Sequence, residues 1–93
     1  MNVGVLRVDI RLFDVSSLKE KRSIVKHLLN FIRKKYNVSA SEIGKMDSTR
    51  FMEIGIAMVS NDKNVIHNTF ENIIDYIEVN EGLEIEEMEK EIW

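Results

Sequence analysis

Between Ser16 and Tyr36 the chain reads SSLKEKRSIVKHLLNFIRKKY, and this stretch constrains everything else. Leu18, Val25, Leu28, Leu29, Ile32 and Tyr36 recur three and four residues apart, which puts them on one face of a helix. Ile24 and Phe31 widen that face. Ser17, with Glu20 three residues on, predicts a capping box at the start, each side chain accepting the other's unpaired backbone N–H. Asn37 predicts a left-handed C-cap. Arg33, Lys34 and Lys35 fall in the last turn, where positive charge suits the helix dipole. Such a helix supplies one side of a core, and a chain of 93 residues is long enough for a single two-layer core but too short for two. One domain spanning 1–93 is therefore expected.

The same helix holds seven of the thirteen Lys and Arg residues: Lys19, Lys21, Arg22, Lys26, Arg33, Lys34 and Lys35. At 100° per residue, Lys19, Arg22, Lys26 and Arg33 form one flank, a basic stripe about 20 Å long at 1.5 Å of rise per residue. Two readings are open. A solvated face is the ordinary state of a long helix. A footprint for a polyanion is the functional alternative. Lys21 differs, because it points into the apolar face. The common arrangement lays its stem on the core and carries the ammonium to water; a specific carboxylate or ligand anion is the less common one.

The net charge of −3 conceals an asymmetry. Residues 1–50 hold eleven Lys and Arg against five Asp and Glu, whereas residues 51–93 hold two against eleven. Either the halves neutralise each other, within the fold or across a dimer, or the basic half faces a polyanion while the acidic half maintains solubility. The negative total argues against indiscriminate nucleic-acid binding. Without cysteine, disulfides and thiolate metal sites are excluded. The N-terminus meets a charge too early for a signal peptide, and no apolar run nears the roughly 20 residues that span a bilayer. A cytoplasmic protein without membrane attachment is expected.

Taken in order, VGVLRVDIRLF (3–13) alternates from Leu6 onward, with Leu6, Val8, Ile10 and Leu12 on one side and Arg7, Asp9 and Arg11 on the other. That is a half-buried strand. Val3 and Val5 lie on the opposite phase, which predicts a bulge or a second apolar contact near Gly4. NVSASEIG (37–44) reads as a short strand, 45–50 as a turn, and FMEIGIAMVS (51–60) as a strand apolar on both sides. Asn61-Asp62 caps a second helix over roughly 63–79, built on Val65, Ile66, Phe70, Ile73, Ile74 and Ile77. After Gly82, LEIEEMEKEIW gives a final strand whose phase changes at Glu86-Glu87 and whose charge suits a sheet edge. The order β-α-β-β-α-β, an α+β fold with two helices on one face of a four-stranded antiparallel sheet, is the ferredoxin-like arrangement.

GVLRVDIRL, SLKEKRSIVKHLLNFIRKKYNVS and IGIAMVSND together resemble the YlxP-like family, over about Val3 to Ile77. SLKEKR followed by the Asn37-Val38-Ser39 turn is the most specific part. The resemblance implies a ferredoxin-like fold, no established enzyme activity, and genes lying among those of translation factors. It carries no agreed catalytic or ligand residues. The chain departs from the family at 45–50, which lacks an aromatic.

Other chemistries find little purchase. His27 and His67 stand one on each helix without a second ligand at a metal spacing. Ser16, Ser17, Ser60 and Asn61 lie at helix starts, where capping explains them. Four scattered glycines exclude dinucleotide and P-loop signatures. RNA-recognition motifs share the strand order but stack bases on central aromatics; here only Phe13 and Phe51 are offered, both at strand ends. The expectation is a non-enzymatic, cofactor-free factor that binds a ribosomal subunit or structured RNA through Lys19, Arg22, Lys26 and Arg33, with Lys21 a candidate for a specific contact. The alternative is a homodimeric interaction or regulatory module, joined through the sheet face or an edge strand.

Overall fold

The structure, a computed structural model, describes all residues from Met1 to Trp93. The elements are β1 (Asn2–Arg11), α1 (Leu18–Lys35), β2 (Ser39–Gly44), β3 (Phe51–Ser60), α2 (Lys63–Asp75), a π-helical turn (Tyr76–Asn80) and β4 (Glu84–Ile92). The sheet runs β2-β3-β1-β4 with every pairing antiparallel, the ferredoxin-like order. Both helices cover one face. Their apolar stripes meet Leu6, Val8 and Ile10 of β1 and Met52, Ile54, Ile56 and Met58 of β3, all buried. β1 and β3 are the two central strands, so the alternating strand and the strand apolar on both sides occupy the middle of the sheet.

Near Gly4 there is no bulge against β3, because pairing runs unbroken from Asn2↔Ser60 to Arg11↔Phe51. Gly4 instead takes an inward position, which leaves Val3 and Val5 on the outer face. α2 sits directly on it: a Cβ here would lie 2.9 Å from Phe70 Cε2 and closer still to Ile66. Glycine lets the second helix approach the sheet at that point. The phase change in the last strand is a bulge, with the register against β1 slipping between Asp9↔Glu87 and Ile10↔Ile85 and leaving Glu86 unpaired.

The ends of α1 depart from expectation. Ser17 is the N-cap and accepts from the Glu20 N–H at 3.1 Å. Glu20, however, reaches one residue further back and accepts from the Ser16 N–H and Ser16 hydroxyl, 3.1 and 2.9 Å away. Two donors on Ser16 outbid the single N–H of Ser17. The Ser16 backbone donor, then its hydroxyl, hold the Glu20 carboxyl below its usual range. At the other end Asn37 is not a left-handed cap. The helix closes on Tyr36 in extended conformation, whose N–H donates to Ile32. Asp62 caps α2 by accepting from Asn64 at 2.8 Å.

Candidate nucleic-acid interface

The sequence places Lys19, Arg22, Lys26 and Arg33 on one flank of α1, which runs as one helix from Leu18 to Lys35. All four are exposed. Lys19, Arg22 and Lys26 have no carboxylate within ion-pair distance in the chain, nor do Lys34 and Lys35 of the last turn. Arg33 has a structural task as well. Its Nε and Nη2 donate to the Ala40 carbonyl at 3.0 and 2.6 Å, fastening β2 to the end of the helix. That contact takes one edge of the guanidinium and no charge partner. Its other edge keeps its donors for a second acceptor.

Lys21 belongs elsewhere. Its side chain is 1% exposed, so the ammonium does not reach water as the common arrangement has it. The nitrogen lies 3.3 Å from Glu42 Oε2 and donates to the Lys45 carbonyl. Glu42 holds an inward position on β2, the phase it shares with Ala40, and so faces α1. Burial of an ammonium requires an opposite charge and a hydrogen-bond acceptor, and Glu42 supplies the first and the Lys45 carbonyl the second. Lys21 is thus an internal residue rather than part of a contact surface.

The outer face of the sheet gathers a second set of charges that sequence reading passed over. Arg7, at the centre of β1, has Asp9 Oδ1 at 3.0 Å and Glu53 Oε2 at 3.3 Å from Nη1, and Glu89 Oε1 at 2.9 Å from Nη2. Lys45 meets Asp9 Oδ2 at 3.1 Å. Cross-strand register assembles this group, since Arg7 opposes Gly55 on one side and Glu89 on the other. Hydrogen bonds to Glu89, then Asp9, hold the guanidinium proton even more firmly than usual. For Asp9, burial pushes the carboxyl up, but hydrogen bonds from Lys45 and Arg7 together outweigh it and leave it below its usual range. Alongside lies an open trough of about 380 Å³, with Gly55, Ala57 and Val5 on its floor and Ser39, Ser41 and Ile43 along one rim.

The histidines sit apart. His27 Nε2 is 3.0 Å from Glu81, which also accepts from the Tyr76 hydroxyl, while His67 Nδ1 lies 3.0 Å from Lys90 Nζ. Burial, with Glu81 next, pushes the Tyr76 hydroxyl up to about 12. No group of three or more His, Asp or Glu side chains is placed to hold a metal.

Fold and surface together define a ferredoxin-like domain with an unpaired basic helix flank on one side and a charge-paired sheet on the other. Residues 3–90 match the model of the family described as "Protein of unknown function (DUF503)". The chain is 33% identical over 76 residues to the uncharacterized protein YlxP of Bacillus subtilis (strain 168), covering 82% of this chain and 83% of that protein. The chain belongs to this family of small proteins of unknown function. Among solved structures it is similar to the de novo designed protein Foldit4, with a TM-score of 0.54 and 18% identity over 98% of this chain and 96% of that one. It is also similar to SnoaB, a cofactor-independent oxygenase from Streptomyces nogalater, with a TM-score of 0.53 and 7% identity over 99% and 90%. At these identities the likeness concerns the fold alone. No helix is long and apolar enough to cross a membrane.

Proposed function

We propose that this protein is a non-enzymatic factor that docks on structured RNA of a ribosomal subunit through the flank Lys19, Arg22, Lys26 and Arg33. One observation carries the reading: the exposed cations of α1 have no carboxylate partner, although Asp and Glu outnumber Lys and Arg in the chain as a whole. Unpaired cations in a row can take up successive phosphates and release their counterions. The carboxylates of β4, at the sheet edge opposite β2, repel RNA there, which favours one orientation for docking. Contacts of this kind position the protein and read little sequence. The setting among translation-factor genes that the family resemblance implies points to ribosomal RNA as the source.

The test is pelleting with purified ribosomal subunits. Wild-type protein is expected to pellet with one subunit and to be released by salt. The Lys19→Glu, Arg22→Glu, Lys26→Glu, Arg33→Glu variant is expected to stay in the supernatant. Equal pelleting of wild type and variant, or none at low salt, would overturn the reading.

A second reading rests on the outer sheet face, where exposed Val5, Ile43 and Val59 surround Gly55 and Ala57. Two copies joined sheet to sheet would cover these residues and the paired charges beside them. Sedimentation velocity decides it: a dimer dispersed by Val5→Glu supports this reading, and a monomer at high concentration removes it.

A further inference from the structure

Phe13 is a large aromatic that folding leaves 61% exposed, in the loop between β1 and α1. The residue after it, Asp14, has φ of 58°, in the left-handed region that non-glycine residues seldom occupy. Only one other non-glycine residue does so, Lys45 at 56°, which begins the turn between β2 and β3. These two costly backbone positions flank one end of the sheet, and between them lies a cluster of rings and cations. The Arg11 guanidinium is 5.2 Å from the centre of the Phe13 ring and 5.1 Å from that of Phe51. The Lys45 ammonium is 5.1 Å from the Phe51 ring. Arg50 is exposed beside them, its carbonyl accepting from the Leu12 N–H at 2.7 Å.

The charges at this end are of two kinds. Lys45 is paired with Asp9. Arg11 and Arg50 have no carboxylate within ion-pair distance, even though Glu84 is the cross-strand neighbour of Arg11. Folding therefore holds an aromatic ring in solvent, backed by a guanidinium, next to two arginines that form no ion pair. The other exposed ring, Trp93, ends the acidic strand β4 at the opposite end of β1, where it pairs with Val3. It follows a strand in which Glu84, Glu86, Glu87, Glu89 and Glu91 outnumber the single Lys90, so it lacks the row of cations that a phosphate backbone requires. Phe13 also precedes Lys19 by only six residues, at the end of the molecule where the basic flank of α1 begins.

We propose that Phe13 is a stacking platform for an unpaired base of RNA, with Arg11 and Arg50 beside it to take the adjoining phosphates. This rests on the reading of α1 as the RNA-docking surface and adds what that surface prefers: a duplex whose end or bulge offers a single-stranded nucleotide. Every base has a π-face, so the site is tolerant of sequence while discriminating single-stranded from fully paired RNA. The central sheet plays no part, since its outward residues Arg7, Asp9, Gly55 and Ala57 offer no ring.

The experiment uses two fluorescein-labelled RNA hairpins, one blunt and one carrying a single-stranded adenosine tail, with affinity read by fluorescence anisotropy. Wild-type protein is expected to bind the tailed hairpin about tenfold more tightly, the scale of one stacked base. Phe13→Ala is expected to lose that preference and keep the blunt affinity, while Phe13→Trp retains both. Reversal of Lys19, Arg22 and Lys26 to Glu is expected to weaken binding of both hairpins. Equal affinity of wild type for the two hairpins, or a preference that survives Phe13→Ala, overturns the stacking site and leaves docking through α1 standing. Failure of wild type to bind either hairpin at low salt overturns both.

Discussion

The basic flank of α1 and the outer face of the sheet carry the same kinds of cation under opposite conditions. Arg7 and Lys45 lie among carboxylates that cross-strand register brings within 3.3 Å of them. Lys19, Arg22 and Lys26 meet none. Lys21, on the same helix, sides with the sheet: two residues along from Lys19, it turns inward to Glu42. A count of Lys and Arg thus says little about the charge available to a partner. What matters is which cations the fold has already neutralised. In this chain folding pairs Arg7, Lys45 and Lys21 with carboxylates and leaves the flank of α1, with Arg11 and Arg50 at one end of the sheet, unpaired.

That contrast can be broken by stability measurements. Lys21→Met should have the largest effect, because it leaves Glu42 and the Lys45 carbonyl without their buried partner; a loss of about 3 kcal/mol in urea unfolding is expected. The double change Lys21→Met with Glu42→Leu should recover most of it, since removal of both charges avoids the uncompensated one. A loss no larger than that of an exposed lysine would show that the internal pair does not form. Arg33→Ala comes next at about 1 kcal/mol, from two hydrogen bonds to Ala40 at a partly exposed site.

Asp9→Asn tests the paired face through pH. The folded carboxyl titrates below its unfolded value of about 3.9. Its stabilising contribution is therefore present in full above that value and is lost as pH falls through the lower, folded one. Asp9→Asn should be less stable than wild type at neutral pH and lose less stability on acidification below about pH 4. Identical acid limbs for the two proteins would contradict the pairing with Lys45 and Arg7. At the bottom of the scale, reversing Lys19, Arg22 and Lys26 to Glu should change unfolding by no more than about 0.5 kcal/mol per site. Unfolding of that variant would place the flank with the structural charges after all.

Much of this was legible in the sequence. The alternation in β1, the apolar run of β3 and the three-to-four spacing in the helices placed the core elements, but the helix expected over roughly 63–79 ends at Asp75 and passes into a π-helical turn over Tyr76–Asn80. The phase change at Glu86-Glu87 left the register of the last strand open, and the structure resolves it as a bulge. The charge pairings were harder, since they depend on register between strands far apart in the chain. Arg7 meets Glu53 and Glu89 only because β1 lies between β3 and β4. The partner of Lys21 left a trace that went unread: SASEIG places Glu42 on the same phase as Ala40, a carboxylate facing inward, with a lysine already facing inward on α1. The Arg33 clamp on a backbone carbonyl left none, because carbonyls are everywhere and only the fold chooses one. At the caps, local signals competed, and Glu20 chose the two donors of Ser16 over the one of Ser17.

The salt dependence of RNA binding measures the free charge of the flank most directly. Observed affinity for a structured ribosomal RNA fragment should fall linearly with salt on logarithmic axes, with a slope set by the number of phosphates the protein neutralises. Neutralising the three unpaired residues, as Lys19→Gln, Arg22→Gln and Lys26→Gln together, is expected to make that slope shallower by about 2 to 3. A variant with the wild-type slope would mean that these cations meet no phosphates, and the assignment of α1 as the docking surface would be wrong.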